Sequence, residues 1–331
     1  MVTQRIPWDH WIAPAPPRYA RLPQLGARAG ATLLSPCWSK SKRVVPLTAL
    51  LAVLLAACTH ASWNLVAKKA AHSVHFVWLY SVAALLLWTL PTLWVVFHVH
   101  WPPGPRPWLA LGATSLLHLS YAQALQAGYR AGDLSLVYPI ARGTGPLLSF
   151  AGAALLLGER PGWVALIGVL LVVAGIGLVA ELRRKRAHPA RAGIAWGLII
   201  GACIAAYTLN DGWAVKYLAI SPLIVDYTGN LFRALVLAPR TFARGATLRQ
   251  EIRDYAGPAL VVGGLGTLGY VLVLWAMTQA PISHVAPTRE LATLVSTYFG
   301  SRLLQEKMGW SRVLGALCIV AGVICLALAR S

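Results

Sequence analysis

Apolar runs of about 20 residues alternate with short polar breaks along most of the chain. Each run is long enough to cross a hydrocarbon core of ~30 Å as a helix. The pattern predicts ten spans, at residues 45–66, 74–97, 108–128, 134–157, 163–182, 193–216, 222–238, 259–277, 282–304 and 310–329. Short connections suit antiparallel neighbours. The longest polar ones are 183–191 and 239–256.

Residues 1–43 break this rhythm. They are rich in Pro, Arg and Trp, hold a single acid, Asp9, and show no helical period. They read as a disordered basic tail, or as a mis-assigned start with Val44 or Val45 as the true initiator. No apolar core precedes Val44, so the segment does not resemble a signal peptide. The run Leu55–Cys58, "LAAC", looks like a lipoprotein cleavage box. Apolar character continues past it, so it reads as part of the first span.

Composition agrees with a membrane protein. The 331 residues are 57% hydrophobic and 12% charged; a soluble domain carries about 25% charged residues. The net charge of +19 comes largely from short loops, including Lys68, Lys69, Arg183–Arg186, Arg240, Arg244, Arg249 and Arg253. Such charge sets orientation. No nucleic-acid reader motif accompanies it, and nucleic acid is not an expected partner. Cys37, Cys58, Cys203, Cys318 and Cys325 form no CxxC and read as packing residues.

The chain repeats itself at an offset of about 147 residues. "LSLVYPIARG" from Leu134 matches "ISHVAPTREL" from Ile282, and "LLLGERPGW" from Leu155 matches "RLLQEKMGW" from Arg302. "GVLLVVAGIGLVA" from Gly168 matches "GALCIVAGVICLA" from Gly315, and Asn64 aligns with Asn210. The expected fold is therefore an all-α polytopic membrane protein of two five-helix repeats, 44–186 and 187–331. An odd number of helices per repeat inverts one copy relative to the other, as in many secondary transporters.

Charged groups at membrane depth are costly, by about 3 kcal/mol for Arg on insertion scales, and mark sites or clamps. The repeat places Arg142 opposite Glu290, with Arg289 alongside. The expectation is an ion pair across the pseudo-two-fold axis. It either lines a water-filled cavity and binds substrate or clamps the two halves shut. Pro139 and Pro287 each free a carbonyl and read as hinges or static kinks facing the interior. His60, Trp63 and Asn64 share one face of the first span. Tyr207, Asn210 and Asp211 hold the equivalent place in the second repeat. Asp211 either couples protons or plays a structural part, capping a helix or pairing with Lys216. Tyr121, Tyr138 and His118 are further cavity candidates, and His284 is a candidate proton carrier. The small faces at Gly168, Ala174, Gly175 and Gly315, Ala321, Gly322 suit close helix packing or a dimer contact. There is no Walker loop and no HExxH helix, so no ATP chemistry, cofactor, metal or catalytic set is expected.

From about Val45 to Ala329 the chain resembles the drug/metabolite transporter superfamily, in its ten-helix branch of paired EamA domains. The resemblance rests on "HASWNLVAKKA", "GDLSLVYPIARGTGPLL", "LLLGERPGW", "SHVAPTRELATL" and the "IVAG" texture ending each copy. It implies transport without ATP, by proton linkage or exchange, of amino acids, other metabolites or drugs across a bacterial inner membrane. The acidic first-helix residue of the small four-helix multidrug relatives is absent here, so their antiport chemistry does not carry over. The resemblance places both termini in the cytoplasm. The loop charge at 183–191 and 240–253 favours the reverse. The expected function is export of a small polar metabolite bearing a carboxylate or phosphonate. Multidrug efflux and a non-transporting assembly or sensor subunit are the alternatives. A monomer and a homodimer are both compatible with the sequence.

Overall fold

In a computed structural model the described residues are 45–70, 73, 75–99, 101–102, 104–131, 134–179, 190–243, 245–295 and 310–329. Residues 1–43 and Arg183–Arg186 lie outside them. The described residues form helices and contain no strand. The helices are α1 (Leu47–Lys69), α2 (Phe76–His98), α3 (Arg106–Ala131), α4 (Leu134–Leu156), α5 (Trp163–Val179), α6 (Ala190–Lys216), α7 (Pro222–Phe242), α8 (Gly245–Gln279), α9 (Ile282–Thr288) and α10 (Trp310–Leu328). Five of them hold windows long and apolar enough to cross a membrane. Large apolar side chains point outward, Leu86, Leu90 and Phe97 among them. Water would penalise that surface; lipid does not. α1 passes through Cys58 without a break.

The two repeats run in opposite directions. α5 packs along α10. A Cβ on Gly168 would lie 2.8 Å from the Gly322 carbonyl oxygen, and one on Gly175 would lie 2.6 Å from that of Gly315. The start of one helix thus meets the end of the other, so the helices are antiparallel. The contacts exchange under the repeat offset, which places a pseudo-two-fold axis between them. The small faces are therefore used inside the bundle, backbone against backbone. Trp163 and Trp310, equivalent residues at the two helix starts, are both exposed. They lie at opposite ends of the antiparallel pair, where indole anchors suit the membrane interfaces. Part of the remaining packing follows the same symmetry: α1 on α8 mirrors α6 on α3, and α2 packs on α7, whereas the close packing of α4 on α6 has no counterpart between α9 and α1 among the described residues.

Two elements depart from the expected spans. The polar stretch 239–256 reads as a loop, yet α8 begins at Gly245 and runs 35 residues. Its first turns are tied to the start of α2. Glu251 accepts hydrogen bonds from the Ser73 hydroxyl and, at 3.0 Å, from the His75 amide. Tyr255 meets Phe76 edge-on. The span expected at 282–304 is interrupted. α9 ends at Thr288, Arg289 and Glu290 form a turn, and helix resumes at 291–295.

Candidate functional site

Arg142 is presented by α4, which lies against a glycine-lined face of α6. A Cβ on Gly197 would strike Ile140, one on Gly201 would strike Thr144, and one on Gly145 would strike Ile204. This close approach sets the register of α4. Arg142 Nη1 donates to Glu290 Oε1 at 3.3 Å, and its Nη2 lies 3.2 Å from His60 Nε2. A guanidinium can only donate, so His60 accepts at Nε2 and is a neutral imidazole. The Arg142 guanidinium also lies over the Tyr138 ring, 5.3 Å from its centroid. Glu290 is fully buried, and its second oxygen accepts from Thr293 Oγ1 at 3.2 Å. Pro139 and Pro287 are buried, facing the interior.

Arg289 has a different setting. Its Nη2 lies 3.5 Å from the Tyr207 hydroxyl, and its guanidinium is 6.0 Å from that ring. Among the described residues it forms no ion pair. The space beside Arg142, bounded by Tyr121, Tyr138 and the α6 side chains Ile200 and Ile204, is about 10 Å³. That is room for about one water. Among the described residues, α4 and α6 close on this side of the guanidinium.

Tyr207 links this cluster to a second. It stacks on His118 at 4.4 Å and meets Tyr121 edge-on at 5.5 Å. His118 Nε2 lies 2.9 Å from Asp211 Oδ2, which also accepts from the Tyr270 hydroxyl. Asp211 Oδ1 accepts from Thr114 Oγ1 and from Asn210 Nδ2 at 3.2 Å. Four donors from α3, α6 and α8 thus satisfy one fully buried carboxylate. The expected pairing of Asp211 with Lys216 does not form, and Asp211 lies inside α6 rather than capping it.

Lys216 belongs elsewhere. Its Nζ donates to Glu159 Oε1 at 3.1 Å and to the Ala280 carbonyl at 2.9 Å. Glu159 also accepts the amide N–H groups of Ile282 and Ser283, at 2.8 and 2.9 Å. The carboxylate of the "LGER" stretch therefore caps α9 of the other repeat. Burial alone would raise the Glu159 pKa. The Lys216 ammonium and the Ser283 and Ile282 donors outweigh it and hold the carboxyl below its ordinary value.

The expected site residues thus divide. Arg142, Glu290, His60 and Tyr138 meet directly, with Tyr121 and Tyr207 flanking them. Asn210 and Asp211 form the second cluster. Trp63 contacts His60 edge-on at 4.8 Å but packs with the α2 and α8 core. The Asn64 side chain makes no hydrogen bond among the described residues. His284 lies near the α9 cap, with Nδ1 3.1 Å from Ser283 Oγ and Nε2 buried without a partner among the described residues. Thr114, Tyr270, Asp226 and Arg233 were not anticipated. Asp226 and Arg233 carried a legible signal, being charged residues inside the expected seventh span. Thr114 and Tyr270 carried none, since a lone hydroxyl in an apolar run says nothing about its partner.

Comparison with curated protein sequences yields no significant match. A solved crystal structure superposes with a TM-score of 0.62 at 16% identity, over 84% of this chain and 96% of that chain. At that identity the likeness concerns the fold alone. The EamA-like transporter family matches residues 47–180 and again residues 191–328. These two matches cover both repeats, and the chain belongs to the EamA-like transporter family.

Proposed function

We propose that the protein exports a small polar metabolite bearing a carboxylate or phosphonate, amino acids included, by alternating access around the Arg142–Glu290 pair. One observation carries this reading. Among the described residues, two guanidinium groups, Arg142 and Arg289, stand inside the helical bundle beside one carboxylate, Glu290, and the adjoining His60 is neutral. An incoming oxyanion balances the surplus charge and matches the guanidinium fork. Glu290 then orients Arg142 or receives a substrate amine. Opening of α4 from α6 admits the substrate, with Pro139 and Pro287 as the hinges. The energy comes from a proton gradient or a counter-substrate. The two repeats, 44–186 and 187–331, act as the rocking halves in a cell inner membrane.

Multidrug efflux is the second reading, favoured by the aromatic chain Tyr138, Tyr121 and Tyr207 around the guanidinium groups. Proteoliposome flux with amino acids, organic acids, phosphonates and cationic dyes separates the two. Saturable flux of an anion or zwitterion, lost in well-folded Arg142→Ala, supports the metabolite reading. Dye flux that survives the substitution favours efflux of drugs and reduces Arg142 to a clamp. No flux of any class sinks both.

A further inference from the structure

A cavity of about 220 Å³ lies between α2, α3 and α7. It shares no lining residue with the space beside Arg142. Its α7 wall presents Arg233, Leu237 and Arg240, one face by i, i+4, i+7 spacing. Its α3 wall presents Gln123 and Gln126, while Tyr121 and Leu125 of the same helix turn toward Arg142. None of the described lining residues is acidic.

Arg233 lies near the middle of the 21-residue α7. Its direct partners are neutral: Nη1 donates to the Tyr80 hydroxyl and Nη2 to Asn230 Oδ1, both at 3.2 Å. The Asp226 carboxylate attracts this guanidinium through space without pairing with it, and Asn230 Nδ2 bridges toward it, donating to Asp226 Oδ2 at 2.9 Å. The Nε of Arg233 is buried with no hydrogen-bond partner among the described residues. Arg240 is exposed, and neither arginine forms an ion pair among the described residues. An arginine inside such a helix is costly, and Asp226 offsets its charge without forming an ion pair with it. Guanidinium forks and glutamine amides are donors suited to oxygen anions.

We propose that this cavity binds an oxyanion, a phosphate or carboxylate group held between Arg233 and Arg240 with Gln123 and Gln126 as further donors. The site is separate from the Arg142 cluster and does not depend on the transport reading. The anion is either a free small molecule or the headgroup of an anionic phospholipid. Both present the same oxygens to the same donors.

The test is ligand-induced thermal stabilisation of the purified full-length chain. The probes are inorganic phosphate and citrate in detergent, and phosphatidylglycerol against phosphatidylcholine in nanodiscs. Arg233→Gln, Arg240→Gln and Arg142→Ala are measured alongside. Loss of one charged donor is expected to raise the half-saturating concentration by about tenfold. A shift with the soluble anions, weakened in both cavity variants and retained in Arg142→Ala, supports the site and a free ligand. A shift with phosphatidylglycerol alone, weakened by the same variants, supports the site and a lipid headgroup. Should Arg233→Gln fail to fold, Arg240→Gln at its exposed position decides. No shift with any probe overturns the proposal. So does a shift that the cavity variants leave unchanged, or one lost only in Arg142→Ala.

Discussion

The fourth and ninth spans occupy equivalent places in the two repeats, and both begin with the pattern x-Ser-x-Val-x-Pro. α4 runs unbroken for 23 residues through Pro139 and Pro146, whereas α9 stops after seven. Each proline removes one hydrogen-bond donor, so the proline alone does not decide. The surroundings do. Beyond Pro139, the chain is held closely against the glycine face of α6. Beyond Pro287, Arg289 and Glu290 engage different partners, Tyr207 and Arg142. The backbone tightens there into i→i+3 bonds, from Glu290 N to Pro287 O and from Thr293 N to Glu290 O. Equivalent positions have also diverged in charge, Arg142 against Glu290, which lets them pair across the axis. The comparison teaches that an inverted repeat can keep a symmetric seam, here α5 against α10, while its central site and the helices that carry it are not symmetric.

The strongest way to break this comparison is Glu290→Ala. It leaves Arg142 buried without its carboxylate and should cost about 3–5 kcal/mol. Thermal or SDS unfolding of the purified protein measures it. The exchange of both residues, Arg142→Glu with Glu290→Arg, should recover part of that loss. A single variant as stable as wild type would mean that the pair holds nothing together.

The symmetric interface gives the next effect. Gly175→Ala and Gly322→Ala each push a Cβ to 2.6 Å from a facing carbonyl oxygen. Each should cost about 1–3 kcal/mol by overpacking. Gly177→Ala on the same helix meets nothing within 4 Å, and should be neutral or stabilising by up to about 1 kcal/mol. Unequal costs at Gly175 and Gly322 would argue against a shared geometry.

Glu159→Gln sharpens the contrast at α9. It removes the charge that caps this helix and pairs with Lys216, at an expected cost of about 1–2 kcal/mol. The smallest effect is its pH dependence. The folded pKa of Glu159 lies below its ordinary value of 4.5. Its contribution is therefore complete above that value and is lost as pH falls through the lower, folded pKa. Melting temperatures from neutral pH down through the carboxylate range should fall more steeply in wild type than in Glu159→Gln. Parallel profiles would count against the cap.

Much of this was legible in the residues themselves. Apolar runs near 20 residues match the length of a helix that crosses the hydrocarbon core, and a helix satisfies its own backbone there. The offset matches between the repeats announced two copies, and an odd helix count inverted one of them. The Arg142–Glu290 pairing followed from the same alignment, since both charges needed a partner at depth. The helical start of α8 was not legible. Its polar composition matches a loop, and its contacts run to α2, far away in sequence. Nor was the break after Thr288, because Pro139 stands in a similar stretch and breaks nothing.

The sequence by itself thus determined the class of molecule, the repeat, its inversion and the central charge pair. Each is dictated by composition, period or the cost of charge in lipid, and none depends on distant detail. Only the tertiary structure decided which donors satisfy Asp211, that Glu159 caps α9 with Lys216, and that α4 and α6 close on Arg142. It also decided that Arg233 and Arg240 share one cavity wall. These depend on which helix faces meet, and side-chain partners between separate helices are set by packing register rather than by any local pattern.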